Sequence, residues 1–553
     1  MSQPRRFLAR PGQRQRLLLA AIVVVWAGFV ALRVGEAPVG SITDDAVYVE
    51  TARSLAEGRG PVLAVGPDAA PANPGLFPPG FPLLLAPLAL AFPASLAALK
   101  MVPLLAAALL LPLCWRLPGP EAAPRVRLAL VALTALNPWV VGWSGRVLSD
   151  LPFTVLSLAA LLWFEDWQRE AQPSPLRTLR LAGVTGLAML VRSVGLALPL
   201  AMAAHLALAR RWRRLGQLLA AVAATQAVLW LPGWSGGGWL TEAYRSQLLG
   251  HSGALPERMA FMAANAWGYL RELPVALWPW FGNPARQWFE ARGAGALYDA
   301  AQLATALLVV ICCAAGWRAL RGPAGTVGRA RAQLWLLYLA FQALALVNFA
   351  GWPSGVQTRL LLPVLPLLYL LLIGGVEALA TRGPRWSRGR LLPAACAVIL
   401  AASCAHNLWR GTHPLHAAVE ASGRGFVDPG VGADWLLANT DRAAVVMAPQ
   451  PLQRHIHCRR AVIAPGDTLE ASALLRRART YGAGWVLVGP SQPDRARGLQ
   501  PDEQVLLAVL ESRPDLAHLR WHDAQAAVWI FELGQGGGGA GEGASSVPSG
   551  GRN

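Results

Sequence analysis

The chain has 553 residues, 54% hydrophobic and only 14% charged, with a mean hydropathy of +0.39. A soluble protein carries about 25% charged residues, so a soluble globular enzyme is excluded at once. The net charge of +18 does not mark a nucleic-acid binder, because the arginines gather in short segments between apolar runs.

Apolar runs of roughly 17–22 residues, long enough to cross a bilayer as a helix, recur along most of the sequence. The fold class expected is a polytopic α-helical membrane protein of about eleven spans, followed by a small α/β soluble domain at the C-terminus. Arg5, Arg6, Arg10, Arg14 and Arg16 make residues 1–16 a basic cytoplasmic N-terminus. The first span, 17–34, lacks a convincing cleavage site and reads as retained. Further clusters at Arg210–Arg214, Arg318–Arg331 and Arg382–Arg390 fix the alternation of loops.

The first outer loop, about 35–93, is acidic: Glu36, Asp44, Asp45, Glu50, Glu57 and Asp68 against Arg53 and Arg59. A helix is expected from Thr43 to Glu57, capped by Thr43 and stopped by Gly58. Tyr48, Ala52 and Leu55 share one face, which suggests a helix lying flat on the membrane. The run Pro67–Pro82, with Pro78 and Pro79 at its heart, reads as a stiff, shaped loop.

Spans follow near 94–115, 126–143 and 151–167, with Ser144–Asp150 as an outer link. Leu181–Leu208 is interrupted at Arg192 and reads as two short spans. A span near 215–233 leads to a tryptophan-rich outer loop, about 234–298, and four more spans near 299–317, 332–350, 360–378 and 391–409. Residues 17–410 thus form the membrane module. Residues 411–533 alternate short helical and β-type runs and read as an extracytoplasmic α/β domain. The Gly/Ser-rich tail 534–553 reads as disordered.

Asp44 and Asp45 stand in the first turn of their helix, where the dipole favours an ionised carboxylate able to accept a proton. Acidic residues are also ordinary at helix starts. Asp150 is a third outer carboxylate, with Arg146 one turn earlier as a candidate partner. Arg192 and Arg359 interrupt or begin apolar spans on the outer side, where a charge needs a partner or an anionic ligand, and a guanidinium suits phosphate. Lys100, the only lysine, falls within a span and reads as a structural pairing. Of six cysteines, five lie in or beside apolar runs, and His455, His457 and Cys458 lack a fourth metal ligand.

Taken in order, Thr43-Asp44-Asp45-Ala46-Val47-Tyr48, Pro78-Pro79-Gly80-Phe81-Pro82, Arg146 to Asp150, Leu190-Val191-Arg192 and Arg359 to Pro366 resemble the GT-C superfamily of membrane glycosyltransferases. The branch they are most similar to is the protein mannosyltransferase and aminoarabinose transferase group. That resemblance implies transfer of a sugar, with inversion, from a polyprenyl-phosphate donor to a lipid, glycan or protein acceptor outside the bacterial inner membrane. It implies Asp44 as general base, Asp45 orienting the acceptor or helping to hold a cation, and Asp150 as the acidic residue before the fourth span. Arg146, Arg192 and Arg359 would bind the donor phosphate, and Tyr48, Pro78 and Pro79 would shape the acceptor side. Cofactors stay open: a divalent cation is compatible, and no ligand spacing demands a metal. Where the aminoarabinose branch has Glu-Lys before its prolines, this chain has Leu76-Phe77, which departs from that branch's phosphate-binding lysine. The competing class is a lipid flippase or transporter with an extracytoplasmic binding domain. Against it stand the Pro-rich loop, the soluble domain and the absence of repeat symmetry.

Overall fold

A computed structural model describes residues 11–41, 43–68, 70, 77–228, 255–278, 283–320, 325–349, 357–382, 390–412, 430–466, 470–490, 499 and 501–534. The chain divides into two compact units. The first comprises residues 1–64 and 71–422; the second comprises 423–553 together with Val65–Ala70, a segment of the first loop.

The first unit is helical. In chain order it runs α1 (Pro11–Arg33), α2 (Thr43–Ala56), α3 (Gly80–Ala91), α4 (Leu96–Leu99), α5 (Met101–Arg116), α6 (Pro124–Ala135), α7 (Pro138–Ser144), α8 (Asp150–Arg169), α9 (Pro175–Val191), α10 (Ala197–Leu208) and α11 (Trp212–Val228). Helices Leu255–Leu277, Asn283–Glu290, Gly295–Leu320, Gly325–Asn348, Leu365–Arg382 and Leu391–Thr412 follow. Among the described residues six helices are long and apolar enough to cross a membrane, and α6 with α7, bent by 54°, makes a seventh candidate. The figure of about eleven spans is therefore not reached on length and composition alone. Segment 151–167 lies in a helix carrying Asp150, Glu165, Asp166 and Arg169, and the pair α9 and α10 is broken at Arg192.

Two expectations for the first loop are corrected. α2 is not a surface helix: Asp45 to Ala52 are buried without interruption, so every face packs against protein. The proline run does not stay a loop to Pro82. α3 starts at Gly80, because prolines in a first turn lack only N–H groups that have no intrahelical partner there.

The bend between α6 and α7 is fastened by Asn137. Its Oδ1 accepts from the N–H groups of Trp139 (2.8 Å) and Val140 (3.4 Å), while its Nδ2 donates to Ala276 O (2.8 Å) and Tyr369 Oη (2.9 Å). Helices Gly295–Leu320 and Leu365–Arg382 approach backbone to backbone. A Cβ on Gly316 would stand 1.9 Å from Leu371 O, and one on Gly375 would stand 2.0 Å from Cys312 O.

The second unit is a five-stranded sheet of order β2-β1-β3-β5-β4, with β1 (Val445–Met447), β2 (Ala461–Ile463), β3 (Ala483–Val488), β4 (Ala517–Asp523) and β5 (Val528–Leu533). β1 runs parallel to β2 and β3, and β5 pairs antiparallel with β3 and β4. Because side chains alternate along a strand, Met447, Ile463, Val486, Val488 and Phe531 fill one core with helices Ala471–Tyr481 and Pro501–Glu511. Val446, Val462, Leu487 and Ile530 fill the other with helix Ala433–Asn439.

Gly375→Val should destabilise the first unit by roughly 1–3 kcal/mol, the range for overpacking a close contact. A lower melting temperature for the purified protein, with Gly374→Ala affected less because its Cβ would clear Gly316 at 3.5 Å, checks this.

Candidate active site

Five of the residues singled out in the sequence, Asp44, Tyr48, Asp150, Arg192 and Arg359, lie on four elements of the first unit. α2 presents Asp44 and Tyr48 one turn apart. α8 begins at Asp150, directly after Ser149. Arg192 occupies the extended break after α9, with φ −149° and ψ 139°, and Arg359 sits near the start of a 3-10 turn, Thr358–Val364.

Two ion pairs organise them. Arg359 Nη2 donates to Asp44 Oδ2 at 2.6 Å and its Nε to Gln357 Oε1 at 2.6 Å. Arg192 Nη1 donates to Asp150 Oδ1 at 2.6 Å and reaches Ser149 Oγ at 3.3 Å. Ser149 stands at an N-cap position but makes no cap; its hydroxyl instead meets Tyr48 Oη at 3.0 Å. Tyr48 joins the two pairs: Arg192, Asp44 and Asp150 all act on it electrostatically, and burial pushes its phenol up to about 12. Its ring is held edge-on by Phe77 and Phe81, with centroids 5.4 and 4.9 Å away.

The three carboxylates are not equivalent. Asp44 keeps 26% of its side chain exposed, whereas Asp150 keeps 1%. Asp45 is buried and turns back to accept the Gly40 N–H at 2.9 Å. Burial raises its carboxyl from 3.8 to about 7, against the pull of that hydrogen bond and of Arg146. Asp44 and Asp45 have different partners: Arg359 holds the first and the Gly40 N–H the second. Among the described residues no group of three or more His, Cys, Asp or Glu is placed to hold a metal.

Arg146 is not the partner of Asp150; Arg192 is. Arg146 instead lies over the Trp143 ring at 4.4 Å, where burial lowers its guanidinium to about 10 although Glu36 and Asp45 favour the charge. Glu36 pairs with Arg33 (2.7 Å) and Arg410. Burial opposes its ionisation, but Arg33 and Arg410 together hold its carboxyl below the usual range. Arg33 Nη1 also donates to Asn407 Oδ1 (2.6 Å) and Pro138 O (3.1 Å). Lys100 is a structural pairing, as expected, but with backbone: its Nζ donates to Val34 O and Ala37 O at 2.8 and 2.9 Å, fixing the chain that leads to Asp45.

Pro78 and Pro79 are buried and bring Gly80 against the end of α9. A Cβ on Gly80 would lie 2.5 Å from Leu190 C, two residues before Arg192, so only glycine permits that approach. The proline-glycine run thus places the arginine as well as the loop.

Ser149, Gln357, Glu36 and Glu272, which accepts from Thr358 Oγ1, are partners that sequence reasoning did not assign. Only Glu36, in the acidic loop, left any signal. Trp267 and Trp288 are about half exposed; Trp230, Trp234, Trp239 and Trp280 lie outside the described residues. His455 Nδ1 bonds Arg460 O at 2.7 Å and Cys458 is buried.

No family model matches the chain, and neither does any curated protein. Solved structures do. ArnT from Cupriavidus metallidurans bound to undecaprenyl phosphate aligns with TM-score 0.57 and 15% identity, covering 96% of this chain and all of that one. An oligosaccharyltransferase from Archaeoglobus fulgidus, solved with zinc and sulfate, aligns with TM-score 0.54 and 12% identity over 85% of this chain and 67% of that one. These neighbours are GT-C membrane proteins. The chain shares their fold. Identities this low carry the architecture alone, and with it the multi-pass membrane character of the first unit.

Within the helical unit, Asp45 generates a pH dependence of stability. Its folded-state value lies above the ordinary one, so the folded protein keeps a proton that the unfolded chain loses. Stability should fall as pH rises from about 4 to about 7, by roughly 4 kcal/mol at most. Asp45→Asn should remove that component; an unchanged pH slope of the melting temperature would contradict the burial argument.

Proposed function

We propose that the chain is an inverting glycosyltransferase that takes a sugar from a polyprenyl-phosphate donor and places it on an acceptor hydroxyl. It would do so on the extracytoplasmic side of the bacterial inner membrane, with the N-terminus cytoplasmic and the α/β unit outside. The observation that carries this reading is Asp44: of the three carboxylates it alone is partly open, and it is held at 2.6 Å by a guanidinium suited to phosphate. The fold is shared with ArnT bound to undecaprenyl phosphate and with the archaeal oligosaccharyltransferase AglB from Archaeoglobus fulgidus, solved with an inhibitory peptide and a dolichol-phosphate at TM-score 0.50 and 11% identity, covering 94% of this chain and 75% of that one.

The chemistry balances without a cofactor. The acceptor oxygen attacks the anomeric carbon on the face opposite the phosphate, and its proton passes to Asp44. The bond from that carbon to the phosphate oxygen breaks, its electron pair staying on oxygen, and polyprenyl phosphate departs. The leaving group needs positive charge rather than a proton. Arg359 and Arg192 supply it, supported by Arg146, whose guanidinium lies over the Trp143 ring. A donor phosphate competes with Asp44 for Arg359 and so frees the base as the substrate arrives. Asp150 and Ser149 aim Arg192, Tyr48 links the two pairs, and Asp45 holds the loop at Gly40 rather than the acceptor.

We assign the prenyl chain to an apolar cavity on the ground of its lining. An apolar cavity of about 330 Å³ is lined by Tyr269, Leu346, Leu361 and Val364, close in sequence to Arg359. Leu339 and Leu368 also line a second cavity of about 320 Å³ beside Trp317 and Trp335.

With purified protein in lipid nanodiscs, Asp44→Asn should lower kcat about 10²- to 10⁴-fold, the range for a general base, and lower donor KM, because the phosphate no longer competes with a carboxylate for Arg359. Arg359→Gln should raise donor KM and lower kcat together. Transfer unaffected by Asp44→Asn, or net movement of lipid with no bond cleaved, would refute the proposal.

A further inference from the structure

One of the two apolar cavities in the helical unit carries a polar side chain with nothing to bond. Gln342, on helix Gly325–Asn348, lines the cavity of about 330 Å³ and is 1% exposed. Neither its Oε1 nor its Nε2 has a hydrogen-bond partner among the described residues. Other buried amides of this unit are paired. Asn265 Nδ2 donates to Val347 O at 3.0 Å, Gln302 Nε2 to Arg271 O at 2.8 Å, and Asn407 Nδ2 to Leu136 O at 2.9 Å. An unmet amide in an apolar wall is costly, and a leucine or methionine would fill that wall without the cost. The amide therefore points to something that enters the cavity.

The cavity lies beside the arginines of the site. Tyr269, on its wall, hydrogen-bonds the backbone of Gln357 and feels the charges of Arg192 and Arg359. Leu361 and Val364 belong to the same 3-10 turn as Arg359. A lipid whose phosphate meets these arginines would lay part of its tail here. Purely apolar walls cannot choose that tail, because the acyl chains of the surrounding bilayer are equally apolar. A polar group in the wall can choose, since it penalises every tail that offers it no partner. A saturated tail offers none. An isoprene unit carries a C=C bond whose π face accepts a weak N–H contact and whose vinylic C–H meets a carbonyl oxygen. We infer that Gln342 is a specificity-determining residue for the donor, selecting an unsaturated isoprenoid tail over a saturated one. This rests on the reading of the protein as a transferase with a polyprenyl-phosphate donor.

Competition binding to the full-length protein in nanodiscs, read by native mass spectrometry, tests this with two sugar-free probes. One is a polyprenyl phosphate and the other its fully hydrogenated counterpart of the same length. Wild type should prefer the unsaturated lipid about five- to tenfold, from two weak contacts. Gln342→Leu and Gln342→Met should bring that preference below about twofold, by binding the hydrogenated lipid more tightly. Melting temperatures no lower than that of wild type show that the variants fold, as expected when an unpaired buried amide is removed. Equal uptake of both lipids by wild type, or an undiminished preference in both variants, overturns the inference and leaves the transferase reading standing. Uptake of neither lipid by wild type overturns both.

Discussion

A guanidinium in apolar surroundings must find a carboxylate or an anionic ligand, and the helical unit is arranged around that demand. Arg359 meets Asp44 across 315 positions of sequence, Arg192 meets Asp150, and Arg33 and Arg410 share Glu36. Removing one member of such a buried pair costs about 3–5 kcal/mol, because the other charge is left uncompensated. The pairs therefore fix which helices lie beside one another at the site. On the proposed transferase reading, an arriving donor phosphate would offer Arg192 and Arg359 a second anion, and exchanging partners costs less than creating a new charge site.

The same residues explain why the backbone is irregular where it is. The candidate side chains sit at interruptions: Arg192 in the extended break after α9, Arg359 in a 3-10 turn, Asp150 just after an uncapped turn, and Phe77 to Gly80 in a proline-shaped entry to α3. A continuous helix satisfies its own backbone and leaves side chains on a cylinder; an unwound segment can aim one inward. In a membrane protein such breaks are tolerated only where protein or a polar cavity surrounds them. The buried network of Asn137, Tyr369 and Ala276 performs this service at the bend between α6 and α7.

Much of this was legible in the sequence because it is local. The start of α2 at Thr43, its end before Gly58 in the left-handed region (φ +76°), the interruption at Arg192 and the strands near 445, 485 and 528 follow from periodicity and turn chemistry. Arg192 and Arg359 stood out because arginine is costly in an apolar run. What was hidden depends on long-range packing. Arg146 lies one turn from Asp150 yet stacks on Trp143, because Arg192, distant in sequence, reaches the carboxylate first. Asp45 looks like Asp44 in sequence, but the helix turns it toward Gly40 and buries it. The three-residue strand β2 is too short to show periodicity, and nothing in Val65–Ala70 announces that it will join a sheet formed four hundred residues later.

Native mass spectrometry of the gently purified protein, wild type beside Asp44→Asn, tests most directly whether Asp44 serves a lipid-linked sugar donor. A retained mass matching a polyprenyl-phosphate sugar, enriched in the variant because the donor binds and is not consumed, is the predicted result. An intact lipid without a sugar, retained equally by both proteins, would contradict it and favour lipid movement over sugar transfer.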